Sequence, residues 1–371
     1  MIRVVLCTDG VFPDAMGGMQ RHSRLLAEHL ARTGVVDLTV LHPHDKQVFD
    51  PALGITEVMI APIDTSRFYF RELWNYSVRV AIELDRLRPD VILSQGLSVW
   101  KGIDRFTGRL ILHPHGLEMF QGMSTKERVM GAPFRSAVRY MLRRSRFVVS
   151  LGGRLTPILQ DLARGGSCSV VTVPNAVEVP ELVTREVRRT GPLRMLFVGR
   201  FAFNKGIDVL MTVAKRLEQE GRGDDFRFEL AGDGPLLNTY KLLGLPGNVR
   251  LLGRVDDERL FQLYTECDAF VLPTRFEGMP TVVLEAMARS CPILVSDVGA
   301  TAELVDGRNG YLLPKGDAEA LYQALIEFEA LSPERRVAMG EASRERAQRR
   351  FAWPAVTDDF VALFKKVAER R

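Results

Sequence analysis

The sequence predicts an α/β protein built from two doubly wound domains in series. Three observations carry this. Short apolar runs alternate with helical periodicity from end to end, the alternation pauses once after residue 173, and it restarts at Met195-Leu196-Phe197-Val198-Gly199. Such alternation implies parallel sheets with helices on both faces. At 371 residues the chain is also too long for one ordinary core.

In the first half, Val4 to Thr8, Leu38 to His42, Val91 to Ser94, Leu110 to His113, Phe147 to Ser150 and Val170 to Val173 read as buried strands. Between the first two, Leu25, Leu26, Leu30 and Ala31 share one face of a helix from about Gln20 to Thr33. Turn residues then collect in Pro174-Asn175-Ala176-Val177-Glu178-Val179-Pro180, with charges from Glu181 to Arg189 before Gly191-Pro192. The hinge is placed there, at 174–192. The second half continues with strands at Phe226 to Leu230, Val249 to Leu252, Ala269 to Leu272 and Ile293 to Ser296, and Asp317 to Arg371 reads as three charged amphipathic helices. The expected domains are therefore 1–173 and 193–352, the last helix (353–371) completing the first. Ligands of such sheets sit beyond the carboxyl ends of the strands, so both domains are expected to point binding loops into a shared cleft.

Composition excludes several classes. The net charge of +4 is too small for a protein that coats nucleic acid, but it favours anionic partners. Cys7, Cys168, Cys267 and Cys291 form no C-x-x-C pair and read as reduced thiols. No secretory leader is evident at the first strand, and no apolar run approaches a membrane span. A cytoplasmic protein is expected.

Four loops carry chemistry. Asp14-Ala15-Met16-Gly17-Gly18-Met19 follows the first strand and opens the first helix. Paired glycines let backbone amides approach an anion there; a tight turn without function is the alternative. Gly199-Arg200-Phe201-Ala202-Phe203-Asn204-Lys205-Gly206 ends the first strand of the second domain. Its two cations suit a diphosphate, Arg200 by its fork and Lys205 as a point charge, against the alternative of solvated loop charges. Glu277-Gly278-Met279-Pro280-Thr281-Val282-Val283-Leu284-Glu285-Ala286-Met287 is the third, with Pro280 placed as the first helical residue and Glu285 within the helix. Ionised carboxylates only accept hydrogen bonds, which suits vicinal hydroxyls of sugars; structural capping or pairing is the alternative. The fourth is Leu112-His113-Pro114-His115-Gly116. His115 at the strand end can contact a sugar or move a proton, whereas His113 reads as structural.

Together these motifs resemble the family-4 retaining glycosyltransferases of GT-B architecture. The pieces occur in the family's order: Gly17-Gly18, His115-Gly116, Pro174-Asn175, Gly199-Arg200 with Lys205-Gly206, Ala231-Gly232-Asp233-Gly234-Pro235, Gly253, and the E-x7-E pair Glu277 and Glu285. The resemblance implies that Gly17 and Gly18 pack against the donor diphosphate and that Arg200 and Lys205 bind it. It further implies that Glu285 holds the ribose and Glu277 a hydroxyl of the transferred sugar. The amides of Gly278 and Met279, before Pro280, would lie near the phosphates. His115 would meet the sugar near the reacting centre, and Arg250 to Val255, with Arg254 and Val255 foremost, would flank the base. The chain departs from the family at Asn175-Ala176-Val177-Glu178, at Ala300 and at Pro280. These departures affect loop shape and leave the donor's identity open.

The expected reaction is transfer from a UDP- or GDP-linked sugar to a glycan or lipid-linked acceptor, with retention, in cell-surface polysaccharide or glycoconjugate synthesis. No D-x-D triplet is present, so no metal or cofactor is expected, and the cations and amides would stabilise the departing diphosphate. Two other readings stay open. A catalytically silent nucleotide-sugar-binding subunit would fail a donor-hydrolysis assay, and a sugar-nucleotide epimerase would need no acceptor. A dehydrogenase is disfavoured because no G-x-G-x-x-G follows the first strand of either half. Lys126, Arg128, Arg135, Arg139, Arg143, Arg144 and Arg146 cluster around one helix with an apolar stripe of Phe134, Val138, Met141 and Leu142. That pattern fits either a packed helix with a solvated basic face or contact with an anionic inner-membrane surface.

Overall fold

The computed structural model describes residues 1–15, 17–64, 69–117, 120, 125–181 and 190–369, with the side chains of 126–128 left aside. Met16, the linker residues 182–189 and the side chains of Lys126 and Arg128 lie outside the described residues. The chain forms two units, Met1–Asn175 with Trp353–Arg371, and Ala176–Ala352.

The first unit runs β1 (Ile2–Cys7), α1 (Gly18–Arg32), β2 (Val36–His42), β3 (Thr56–Met59), α2 (Tyr69–Leu87), β4 (Val91–Gln95) and β5 (Leu110–His113). It continues with α3 (Thr125–Met130), α4 (Ala132–Leu142), β6 (Phe147–Ser150), α5 (Leu155–Ala163) and β7 (Ser169–Thr172). The second unit holds β8 (Leu193–Val198), α6 (Ile207–Gln219), β9 (Phe226–Ala231), α7 (Leu237–Leu243), β10 (Val249–Gly253), α8 (Asp257–Glu266) and β11 (Ala269–Leu272). After these come α9 (Thr281–Ala288), β12 (Ile293–Ser296), β13 (Gly310–Leu313), α10 (Ala318–Ala330) and α11 (Pro333–Arg346). The closing helix α12 (Trp353–Ala368) belongs to the first unit.

Each unit is built on one parallel sheet, seven-stranded in the order β3-β2-β1-β4-β5-β6-β7 and six-stranded in the order β10-β9-β8-β11-β12-β13. Central strands are apolar on both faces because helices cover both: β4, β5, β6, β11 and β12 are buried throughout. The order reverses between β1 and β4 in the first sheet and between β8 and β11 in the second. A crevice opens at such a reversal, outside the carboxyl ends of the two strands.

The predicted strands are all present, shifted by one or two residues at some ends. Two edge strands were not expected, β3 and β13. The buried stripe of α1 is His22, Ser23, Leu26, Ala27 and Leu30. Leu25 and Ala31 lie at its margin, so the face is rotated toward His22 relative to the sequence reading. In the first unit α12 packs on α1, with Trp353 and Phe360 fully buried.

Candidate functional site

In the second unit the two loops flanking the sheet reversal carry the predicted cations and carboxylates. The loop after β8 reaches a left-handed Gly206 (φ 70°) that starts α6. A Cβ there would stand 1.8 Å from the carbonyl oxygen of Pro273, so only glycine lets this loop touch the loop after β11. The contact is reinforced from the other side. Thr274 Oγ1 and the Arg275 amide both donate to Asn204 O, at 2.9 and 2.8 Å. The Arg275 guanidinium grips Asp208 with two bonds of 2.6 and 2.7 Å and lies 4.0 Å from the Phe203 ring. Sequence reading missed Arg275. Its partners lie 67 and 72 residues away, and it is the clamp that sets the loop of Lys205.

Lys205 Nζ donates to Glu277 Oε1 at 2.6 Å. Glu277 is buried and Lys205 half-buried, so the pair is shielded from solvent screening more than a surface pair would be. Two residues assigned separately from sequence thus form one unit. Arg200 is exposed and has no side-chain partner among the described residues. Glu277 is framed by a second close approach: at Gly299 (φ 55°) a Cβ would fall 2.1 Å from Glu277 O, and Ala300 donates its amide to Gly278 O at 2.8 Å. Ala300 therefore keeps the contact that the loop needs.

Pro280 is the N-cap of α9 and not its first helical residue, which is Thr281. The extended backbone of Pro280 (ψ 116°) carries the chain into the helix, and its carbonyl accepts from Val283 at 3.2 Å. Met279 is buried behind it. The first amides of α9 lack intrahelical acceptors, which makes this end an anion-favouring one. Glu285 lies in the second turn, where Tyr264 of α8 donates its hydroxyl to Oε2 at 3.1 Å. Burial, then the charge of Glu285, holds the Tyr264 phenol protonated well above its ordinary range. Arg289 shares the site, stacked 3.8 Å from Phe261, with its guanidinium donating to Glu285 O at 3.2 Å. Tyr264 and Arg289 were not singled out from sequence. Arg254 is exposed and Val255 half-buried just beyond β10, whose last residue, Gly253, accepts the Gly232 amide at 2.8 Å.

In the first unit Gly17 is the N-cap of α1 and Gly18 its first residue, as the loop reading requires. His115 has a left-handed backbone (φ 58°), uncommon for a residue with a Cβ. It is held by a hydrogen bond from Nε2 to Gln95 Oε1, Gln95 being the last residue of β4. His113 is fully buried beside it, the two rings stacked with centroids 3.9 Å apart. Arg139 of α4 and its C-cap Arg143 are exposed, whereas Arg144 beyond the helix pairs with Asp104 at 2.9 Å. The buried face of α4 is Ala137, Val138, Met141 and Leu142, and Phe134 is half-buried. Among the described residues no helix is long and apolar enough to cross a membrane.

Comparison with known proteins bears on the family and the fold. Residues 16–180 match the model of glycosyltransferase family 4, and residues 192–329 match that of glycosyl transferases group 1. An uncharacterized glycosyltransferase of Methanocaldococcus jannaschii is 33% identical over 43% of this chain and 44% of its own length. A phosphatidyl-myo-inositol mannosyltransferase of Mycobacterium leprae is 27% identical over 96% of this chain and 94% of its own. The solved sucrose-phosphate synthase of Thermosynechococcus elongatus superposes with a TM-score of 0.83 at 20% identity, covering all of both chains. Two matched models in sequence order, the two reversed sheets and the superposition converge: the chain belongs to the family-4 glycosyltransferases and has the GT-B fold.

Proposed function

We propose that the chain moves a sugar from a UDP- or GDP-linked donor to a glycan or lipid-linked acceptor, retaining the donor's anomeric configuration, in polysaccharide or glycoconjugate synthesis. The observation that carries this is the 2.6 Å contact between Lys205 Nζ and Glu277 Oε1 at the reversal of the second sheet. In a nucleotide sugar the β-phosphate and the sugar share one oxygen. A cation for the phosphate and a carboxylate for a sugar hydroxyl must then stand side by side, and Lys205 and Glu277 do.

In this reading Lys205, Arg200 and the N-terminus of α9 stabilise the negative charge that grows on the departing diphosphate. Gly278, Met279 and Pro280 shape that anion seat, and Gly17 and Gly18, at the start of α1, form a second anion-favouring helix end. Glu285, oriented by Tyr264, holds the ribose, and Arg254 and Val255 flank the base. His115 meets the sugar. No metal is required, because these groups supply the positive potential. The leaving phosphate takes the acceptor's proton in a front-side displacement. The lipid-linked alternative for the acceptor draws support from the mannosyltransferase relative, whose printed name places its sugar on an inositol phospholipid. Exposed Arg139 of α4 and Arg143 at its C-cap support peripheral attachment at an anionic membrane from the cytoplasmic side.

Calorimetric titration with a panel of UDP- and GDP-sugars tests the reading. One donor should bind, and Lys205→Ala should weaken it by more than tenfold with the fold intact. Binding that is indifferent to Lys205 would refute the assignment.

A further inference from the structure

His115 sits in a nest of imidazoles. His113 stacks on it at 3.9 Å, and His22 of α1 meets both rings edge-on, at 5.0 Å from His115 and 5.1 Å from His113. The far side of the nest is apolar and comes from α12: Trp353 lies 5.5 Å and Phe360 6.4 Å from His22. Gln95 and His113 are register partners on adjacent strands, so their side chains leave the sheet on the same face. The groups that act on His115 are thus Gln95 from β4, His113 from β5 and His22 from α1. Among the described residues the titratable ones are the two histidines, and both disfavour a charge on His115. No carboxylate hydrogen-bonds any of the three rings among the described residues. The usual device for making histidine a strong base, a carboxylate behind the ring, is replaced by a neutral amide.

An amide oxygen can only accept, so His115 must carry its proton on Nε2 to bond Gln95 Oε1. In a neutral ring Nδ1 is then a lone-pair acceptor. We propose that Gln95 is a positioning residue that fixes His115 as the Nε2–H tautomer, leaving Nδ1 to accept a hydrogen bond from a substrate hydroxyl. This rests on the assignment of His115 to the sugar site. It specifies the substrate group that His115 takes, a hydroxyl donor, and it separates His115 from proton transfer.

Burial and the two neighbouring rings depress the basicity of His115 well below the ordinary histidine range, so it stays neutral through physiological pH. Other buried polar atoms of the nest, the Gln95 amide nitrogen, both ring nitrogens of His113 and His22 Nε2, have no partner among the described residues. The hydrogen bond to His115 is therefore the one that orients the Gln95 side chain. Were the amide turned the other way, its nitrogen would donate to Nε2 and the proton of His115 would move to Nδ1.

The test uses the full-length protein labelled with 15N-histidine, which has six histidines to assign. Long-range 1H–15N correlation should find His115 neutral with the proton on Nε2 from pH 6 to 8. An Nδ1–H tautomer, or an imidazolium, would overturn the proposal. Gln95→Leu should give a mixture of tautomers and lower kcat roughly 2- to 12-fold, the worth of one neutral hydrogen bond, with free-nucleotide affinity unchanged. Gln95→Glu keeps the shape and adds a carboxylate. It should charge His115 at low pH, so turnover falls on the acid side and recovers as pH rises, whereas the wild-type profile is flat there. A wild-type tautomer in Gln95→Leu, or a flat profile in Gln95→Glu, would also overturn the proposal. Full turnover in His115→Ala would instead remove the sugar-site assignment on which it rests, whatever the spectra show.

Discussion

Replacing Glu277 by Gln separates the two halves of the donor. Its carboxylate neutralises Lys205 at 2.6 Å, with Glu277 9% and Lys205 24% exposed at the side chain. The amide in its place would keep the size and lose the charge. Lys205 is then released to a phosphate, so a free nucleoside diphosphate should bind at least as tightly as to wild type. The sugar loses a charge-assisted hydrogen bond worth about 1.5–3 kcal/mol, which is about 10- to 150-fold in transfer. The amide still bonds a hydroxyl, so the loss should lie toward the lower end. Calorimetry with free nucleotide and steady-state kinetics with donor measure the two halves separately. If Glu277→Gln weakens the free nucleotide as much as it weakens donor turnover, at unchanged thermal stability, the side-by-side phosphate and sugar seats are wrong.

Glu285→Gln should weaken donor and free nucleotide to the same extent, because both carry the ribose. Tyr264→Phe removes the 3.1 Å bond that orients Glu285 and should weaken both ligands by about 2- to 12-fold, which paired titrations would show. Acid should loosen the first unit. His22 is buried neutral, its basicity lowered by burial from 6.5 to about 4, so the unfolded chain binds a proton there that the folded chain refuses. Its contribution is intact above pH 6.5 and is lost as pH falls from 6.5 toward 4, reaching roughly 3 kcal/mol. A melting temperature constant between pH 7 and 5 would contradict this. Transfer should survive chelator; its loss, with recovery on adding magnesium or manganese, would show that Arg200, Lys205 and the α9 amides are insufficient.

The central strands were legible because a parallel strand covered on both faces must be apolar throughout, as at β4 and β12. Edge strands escape that rule. β3 has only half-buried and exposed positions, and β13 opens on Gly310 and includes an exposed Leu312, so neither shows the pattern. The loops with Lys205, Glu277 and His115 were legible because strand ends followed by glycine or a helix start mark the ligand side of such sheets. Their partners were not. Lys205 meets Glu277 across 72 positions and Tyr264 meets Glu285 across 21, distances that only the sheet order closes. Gln95 and His22 look like ordinary positions of a strand and a helix. Only the register of β4 on β5 and the rotation of the α1 stripe bring them to His115.

The most direct measurement of the central claim is product analysis with the donor selected by the calorimetric panel. The protein is incubated with that donor and with glycan and lipid-linked acceptors, and the product is read by NMR. The account predicts a new glycosidic bond in the donor's anomeric configuration, formed only with acceptor and lost in Lys205→Ala. Binding of a donor with no acceptor-dependent product, or a product of inverted configuration, would contradict it.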